Sequence, residues 1–205
     1  MKNQHSLPLS MFFVVFLLGC STTPEDGRTA GKRAGTLPNA LATAEDFDQL
    51  LVNQKVPAFK AHTLDGVLVD SHYFRHKVTV ITFMYLGCAP CQAEAPMLRK
   101  LYQKIQSAHF QMLCIAPQTP QQMKSLWPYM IPYPIVAECS LTNALGQPSG
   151  PDCGALSKQF QVGGYPVTLL IDGEGIIRHR HAGFSSEHPP ALEAEVARLL
   201  EQLRH

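Results

Sequence analysis

The sequence carries little charge and almost no charge imbalance. Charged residues make up 16% of the 205 residues, with 17 Lys and Arg against 16 Asp and Glu, and no run of basic residues occurs. Binding to nucleic acid or to an anionic lipid surface needs concentrated positive charge. We therefore expect neither as a partner of this chain.

Long apolar runs are also scarce, and the first one lies at the amino terminus. The opening MKNQHSLPLSMFFVVFLLGC places an apolar core, residues 11–18, behind a weakly positive start at Lys2. Such a core is too short to span a bilayer and is typical of a secretory signal. It ends in Leu17-Leu18-Gly19-Cys20, which resembles the lipobox of bacterial lipoproteins. The resemblance implies cleavage before Cys20 and acylation of Cys20, and an ordinary secretory signal is the alternative.

The segment after the cysteine is small and polar. Several acyl chains on Cys20 would hold the protein on a membrane, and Ser21, rather than the aspartate common in inner-membrane retention, favours an outer-membrane anchor facing the periplasm. The composition predicts a signal peptide over 1–19, a flexible tether over 20–42, a short helix and linker over 43–54, and a folded domain over 55–205.

The folded part alternates strand and helix patterns. FKAHTLDGVLVD predicts a hairpin at Asp65-Gly66, and KVTVITFMYL and FQMLCIAP predict strands covered on both faces. CQAEAPMLRKLYQKIQ predicts a helix kinked at Pro96. Further along, the patterns predict a helix capped at Thr119, a hairpin turning at 172–175 and a closing amphipathic helix. This order indicates an α/β fold with a sheet of mixed strand direction.

No second CxxC accompanies Cys88-Ala89-Pro90-Cys91, which argues against a structural zinc site because zinc needs four ligands. The motif instead follows a predicted buried strand and opens a predicted helix. Cys88 then lies near the helix amino terminus, where free N–H groups favour a thiolate, and Pro90 fits the first helical turn. The pattern indicates a redox-active dithiol.

With the Glu94 and Pro96 that follow, and with the later Tyr165-Pro166, this motif resembles the CxPCxxExP pattern of membrane-tethered TlpA/ResA-type thiol–disulfide oxidoreductases of the AhpC/TSA–redoxin superfamily. The VPAFKAHTLDG hairpin is similar to that group too, so the resemblance spans roughly residues 55–204, which is most of the mature chain. It implies a thioredoxin-like α/β fold: a central mixed β-sheet flanked by helices, with an amino-terminal β-hairpin and an insertion before the strand that begins with a cis-proline.

The resemblance also implies roles for single residues. Cys88 matches the exposed nucleophile and Cys91 the buried resolving thiol, while Glu94 matches a carboxylate that exchanges a proton with that thiol. An ordinary acid in the first helical turn is the alternative for Glu94. Pro166 matches a cis-proline, which leaves the backbone of Tyr165 free to pair with an extended substrate.

The substrate-docking surface departs from the family pattern at one position. Gly87 stands where the family commonly has Trp, so we expect Cys88 to be more open and the docking surface, formed by Gly87, Ala89, Pro90 and Tyr165, to differ from the usual one.

The other cysteines number three once Cys20 is set aside, so at least one cysteine is unpaired in a compartment that permits disulfides. Cys139 and Cys153 flank a Gly/Pro/Asn-rich loop and predict a structural disulfide, with a second redox pair as the alternative. Cys114 lies within a strand and predicts a buried, inert thiol.

Metal binding is predicted nowhere, and no cofactor is expected. His179 and His181 alternate along one strand and face the same side, where they could bind copper, but a solvated strand face is the preferred interpretation. The remaining histidines, among them His188, are interpreted as surface or packing residues.

The leading hypothesis is thus a periplasm-facing reductant of protein disulfides that draws electrons from a membrane-embedded thiol reductase. Ala89 and Pro90 supply no charge to stabilise a thiolate, and an ionised Glu94 would disfavour one, so both push toward a reductant. Clients could be cytochrome c maturation proteins or copper-site thiols. Two alternatives stay open: a peroxiredoxin-type peroxidase, although Ile81 and Tyr85 replace its Pro and Thr, and a Sco-type copper-delivery protein, although the spacing is CxxC.

Overall fold

The computed structural model describes residues 44–145 and 147–204. The predicted signal peptide, the tether and Cys20 lie outside the described residues. Helices run over α1 (Ala44–Gln49), α2 (Ala89–Lys104), α3 (Pro120–Met130), α4 (Ala155–Gln159) and α5 (His188–Gln202). Strands run over β1 (Ala61–His62), β2 (Leu68–Val69), β3 (Val78–Phe83), β4 (Phe110–Ala116), β5 (Ile135–Ala137), β6 (Leu141–Thr142), β7 (Pro148–Ser149), β8 (Val167–Ile171) and β9 (Ile177–Ala182).

The central sheet has the strand order β5-β4-β3-β8-β9. Strand β3 pairs parallel with β4 and antiparallel with β8, and β9 pairs antiparallel with β8. A parallel pair needs a crossover, and α2 supplies it between β3 and β4. The predicted mixed direction of the sheet is confirmed.

Both faces of this sheet are covered, which explains why its strands are apolar throughout. Every residue of β3 is buried. Side chains alternate across the sheet: Val78 and Val80 pack with α2 and α5, whereas Ile81 and Phe83 pack with Phe160 on the other face. The strand that leads into the CxxC is therefore packed between two apolar layers.

Smaller elements differ from the predicted ones mainly in length. The first helix ends at Gln49, inside the predicted 43–54 segment. The predicted hairpin forms as β1 and β2, with Gly66 at φ 82° in its turn. Helix α2 continues through Pro96. The prediction of a loop without regular structure between Cys139 and Cys153 is wrong in one respect, because β6 and β7 pair within this segment.

Two further features complete the frame. The insertion between β5 and β8 consists of β6, β7 and α4, as the predicted fold requires. Within residues 44–145 and 147–204, none of the helices combines the length and apolar character needed to cross a membrane.

Candidate active site

The CxxC lies at the first turn of α2, directly after the turn that follows β3. Cys88 is the N-cap residue of the helix, and Cys88 and Cys91 form a disulfide. The backbone N–H of Cys91 donates to Cys88 Sγ at 3.2 Å. This is the capping bond expected of a helix start, and the same N–H would stabilise a thiolate on Cys88 after reduction.

The two sulfur atoms differ in accessibility. Cys88 is half-buried among exposed Gly87, Ala89 and Pro90, whereas Cys91 is 1% exposed. An incoming thiol or disulfide can therefore reach Cys88 but not Cys91. The geometry gives the pair an outer and an inner member, in the order that the sequence predicts.

The Tyr165-Pro166 segment lies beside Cys88. Its peptide bond is cis, and the carbonyl oxygen of Tyr165 is 3.5 Å from Cys88 Sγ. Next to this segment, Phe47, Gly164 and Val167 line an open cleft of about 390 Å³. The cleft and the backbone of Tyr165 offer apolar contact and backbone groups within reach of the nucleophile.

The ring of Tyr85 lies beside Gly87, the position where the family commonly has Trp. A Cβ added at Gly87 would lie 2.8 Å from Cε1 of the Tyr85 ring, so a larger residue there would have to displace that ring. The rings of Tyr85 and Tyr165 have centroids 6.4 Å apart. The expectation that Cys88 is more open without the Trp stays a prediction, and Tyr85, two residues earlier, places an exposed aromatic side chain beside Gly87.

Glu94 is buried on the inner side of the dithiol. It lies one turn after Cys91 on α2, and its side chain is 1% exposed. Its Oε1 accepts a hydrogen bond from Thr168 Oγ1 at 3.3 Å and lies 3.4 Å from His188 Nδ1. A helix-start acid of the ordinary kind faces solvent, so the burial of this carboxylate needs another reason.

His179 and His181 face the same side of β9, as predicted, but that side is only partly exposed, since both residues are half-buried. The ring of His188 stacks on both of them, with centroid distances of 5.6 Å to His179 and 4.0 Å to His181. Burial, followed by the neighbouring His188, lowers the pKa of His179 and of His181. The interpretation as a solvated strand face is therefore wrong, because α5 covers these rings.

Copper binding by the pair His179 and His181 stays the alternative that the sequence offers. Among the described residues, no group of three or more His, Cys, Asp or Glu side chains is placed to hold a metal ion.

Cys139 and Cys153 form the predicted second disulfide, which joins the end of β5 to the start of α4. Next to it, Ser157 donates through its backbone N–H at 2.7 Å, and through its hydroxyl, to the buried carboxylate of Glu138. The hydroxyls of Ser157 and Tyr165 are 2.9 Å apart and share a hydrogen bond. A polar network thus connects this disulfide with the Tyr165-Pro166 segment.

Cys114 is the free cysteine of the described residues, and it is fully buried in β4. Burial raises its pKa to about 12. A thiol with so high a pKa carries almost no thiolate at neutral pH, which confirms the predicted inert character.

The Redoxin family model matches residues 51–199. This chain belongs to the redoxin family. A thiol:disulfide interchange protein DsbE from Yersinia pestis is 33% identical over 69% of this chain and 71% of its own length. A thiol-disulfide oxidoreductase ResA from Bacillus cereus is 21% identical over 67% of this chain and 73% of its own length.

Among solved structures, a thiol:disulfide interchange protein of the thioredoxin family from Chlorobium tepidum superposes with a TM-score of 0.55 at 21% identity, covering 71% of this chain and 95% of that one. The redoxin described here therefore has a thioredoxin-like fold. With its CxxC and its DsbE- and ResA-like relatives, it is a thiol–disulfide oxidoreductase, as the sequence predicted.

Some residues near the redoxin site gave no signal in the sequence. Nothing in its spacing indicates that His188, about a hundred residues after the CxxC, contacts Glu94. Ser157 and Glu138 likewise read as ordinary helix and strand-end residues. For Tyr85 a signal existed: an aromatic residue two positions before the unusual Gly87 can take over the covered space.

Proposed function

We propose that this redoxin is a lipid-anchored, periplasm-facing reductant of protein disulfides. The observation that carries the proposal is the position of the Cys88–Cys91 disulfide, with an accessible outer sulfur at a helix start and the backbone of Tyr165 within 3.5 Å of it. That arrangement suits attack on the disulfide of an extended client segment.

The reaction follows the accessibility of the two cysteines. In the reduced protein, the Cys88 thiolate attacks a client disulfide, forms a mixed disulfide and expels one client thiolate. Cys91 then gives up its proton and attacks Cys88 Sγ, which re-forms the Cys88–Cys91 disulfide and expels the second client thiolate. The client gains two electrons, and the redoxin loses two.

The client protein docks on the surface around Cys88. The backbone of Tyr165 offers hydrogen-bonding groups to the client, and Pro166 keeps that backbone beside the Cys88 sulfur. The small or exposed residues Gly87, Ala89 and Pro90 leave room for an approaching chain. The exposed side chain of Tyr85 forms one edge of this surface. The apolar cleft beside Pro166 is suited to a client side chain without charge.

Glu94 takes the proton of Cys91 during resolution. Two observations support this role: Cys91 and Glu94 lie one turn apart on α2, and both are 1% exposed, so bulk water does not compete for the proton. A carboxylate close to the dithiol also opposes the thiolate form, and a less stable reduced form makes the couple more reducing.

A reductant in an oxidising compartment needs a source of electrons. We infer a membrane-embedded thiol reductase as that source and cytochrome c maturation proteins or copper-site thiols as clients, by analogy with the TlpA/ResA group. Relatives named DsbE and ResA support the general reaction, and the lipobox Gly19-Cys20 supports the membrane anchor.

Trapping of mixed disulfides tests the reaction. Cys91→Ser should accumulate adducts between Cys88 and client proteins, because attack proceeds and release does not; non-reducing gels followed by mass spectrometry would identify them. Cys88→Ser is the matched control and should trap none. Adducts that form equally in both variants would overturn the assigned order.

Fractionation tests the anchor. Cys20→Ser should abolish acylation and move the protein out of the membrane fraction, and the intact mass should lose the lipid. A variant that stays membrane-bound with unchanged mass contradicts the lipid anchor without touching the proposed reaction.

A further inference from the structure

Polar side chains continue from Glu94 toward the surface between α5 and β9. His188 Nδ1 lies 3.4 Å from Glu94 Oε1, and the His188 ring stacks on that of His181 at 4.0 Å. His181 Nδ1 in turn lies 3.5 Å from Asp48 Oδ2 on α1. We call Glu94, His188, His181 and Asp48 the inner relay.

The inner relay leads from a fully enclosed position to a partly open one. The side chains of Glu94 and His188 are 1% and 3% exposed, whereas those of His181 and Asp48 are 20% and 30% exposed. Its inner end is therefore shielded from water, and its outer end is not.

Several atoms of the inner relay are buried without a hydrogen-bond partner in the described part of the chain. They are Glu94 Oε2, both ring nitrogens of His188 and Nε2 of His181. Buried polar atoms are almost always paired, and leaving one unpaired costs about 1–3 kcal/mol. Open donor and acceptor positions beside a reacting thiol suit groups whose protonation changes during the reaction.

We propose that His188 receives from Glu94 the proton that Cys91 gives up when the mixed disulfide is resolved. This rests on the proposed function, in which Glu94 is the first acceptor. Cys91–SH and the Glu94 carboxylate give a Cys91 thiolate and a Glu94 carboxylic acid; the acid then passes its proton to the free ring nitrogen of His188. The products are a Glu94 carboxylate and a His188 imidazolium, and no electron moves in this step.

The physical advantage lies in the charge balance of the buried site. Without His188, the proton taken from Cys91 would stay on the Glu94 carboxyl group. Glu94 could then not serve as a base again until that proton was released. Transfer to His188 restores the carboxylate and places the imidazolium 3.4 Å from it, so that neither charge is left unpaired in the buried position.

The other groups around this pair are less suited to take the proton. Tyr133 faces Glu94, but burial raises its pKa further above neutrality. Arg99 is a cation already, and Glu195 lies at the outer side near His179. His179 and His181 have pKa values lowered by burial, so they remain neutral beside a charged His188. Asp48, at the outer end, favours the positive charge.

The test separates attack from resolution. Reduced protein reacts with 5,5′-dithiobis(2-nitrobenzoate) in two phases of thionitrobenzoate release: attack by Cys88, which depends on reagent concentration, and resolution by Cys91, which does not. We expect His188→Gln to slow the second phase about tenfold near pH 6.5, less than the roughly 10²–10⁴-fold of a lost general base because Glu94 still accepts the proton first. The second phase of this variant should also rise with pH as hydroxide takes over. The first phase should stay within about twofold, since His188 acts only after attack.

The same two-phase time courses of thionitrobenzoate release provide the controls. His62→Gln changes an exposed histidine on β1 and should leave both phases unchanged. If His188→Gln has the wild-type pH profile, or slows both phases equally, the proposal is overturned. If Cys88→Ser shows the same first phase as the wild type, the proposed function fails instead.

A second variant keeps the test valid should His188→Gln not fold. Asp48→Asn changes a partly exposed side chain and retains the oxygen that accepts the Ala182 N–H. It should slow only the second phase, by about twofold at low ionic strength and less at 1 M salt, because screening weakens its attraction for the imidazolium. An unchanged second phase at low salt overturns the proposal independently.

Discussion

The two disulfides of this redoxin have the same covalent chemistry but different surroundings. Cys88–Cys91 spans a sequence separation of 3 at a helix start, with three exposed neighbours and a backbone N–H donated to Cys88 Sγ. Cys139–Cys153 spans a separation of 14, and Cys139 is 1% exposed, with its N–H donated to the carbonyl of Gln118. Each bridge joins a cysteine that is 1% exposed to a half-buried one, so access alone does not distinguish them. The difference lies in the helix start at Cys88, whose N–H donor can stabilise a thiolate, and in the longer loop that the second bridge closes.

Activity should show the largest difference between the two pairs. Cys88→Ser should reduce insulin at the background rate of the small-molecule thiol alone, since the outer nucleophile is absent. Cys139→Ser/Cys153→Ser should retain most of the wild-type rate at a temperature where it is folded. Insulin turbidity or a fluorescent disulfide substrate measures both. If the double variant loses as much activity as Cys88→Ser, the second pair takes part in electron transfer, as the alternative of a second redox pair predicts.

Stability should show the opposite ranking. Removing the Cys139–Cys153 bridge should lower the free energy of unfolding by about 3 kcal/mol, because a loop of that length loses its closure in the unfolded chain. Cys88→Ser/Cys91→Ser is the matched control and should cost about 1 kcal/mol less, since it opens a shorter loop. Urea unfolding at neutral pH measures both variants. An equal or larger loss in the control would contradict the assignment of the stabilising role to the longer bridge.

The sequence predicted the reactive pair better than its surroundings, for a physical reason. A strand that is apolar throughout, a CxxC and a following helix are local patterns, and they indicated the sheet and the helix start, while the order of the two cysteines came from the family resemblance. Contacts between distant segments leave no such pattern. His188 meets Glu94 only because α5 packs across α2 and β9, and β6 pairs with β7 through short segments without apolar alternation.

A substitution of Glu94 should change the reduction potential of the Cys88–Cys91 pair and leave the Cys139–Cys153 pair unaffected. An ionised carboxylate this close opposes a Cys88 thiolate, so Glu94→Gln should stabilise the reduced form and make the couple less reducing. If the charge is worth about 1.4 kcal/mol, the shift is on the order of 30 mV. Equilibration with glutathione measures the potential, and the exposed Glu174→Gln serves as control. Identical potentials in the wild type and Glu94→Gln would leave Glu94 without an electrostatic effect on the dithiol.

The smallest expected effect concerns the network that links the two regions. Glu138 directly precedes Cys139, Ser157 follows Cys153 on α4, and the Tyr165 hydroxyl donates to Ser157, whose own hydrogen goes to Glu138. Tyr165→Phe removes this single bond and leaves Ser157 paired with Glu138. We therefore expect a loss of about 1 kcal/mol in unfolding free energy and little change in exchange rate, since the carbonyl beside Cys88 remains.

A double-mutant cycle decides whether the link matters. If the Cys139–Cys153 bridge holds Ser157 in position for Tyr165, then Tyr165→Phe should cost less in the Cys139→Ser/Cys153→Ser background than in the wild type, because the bond is already weakened there. Groups in one hydrogen-bond network show such coupling, at about 0.5 kcal/mol or more, whereas independent sites add. Tyr85→Phe, at an exposed tyrosine on the other side of Cys88, is the control and should be additive. Additivity for Tyr165 as well would mean that the second bridge stabilises the fold without supporting the backbone that faces the reactive cysteine.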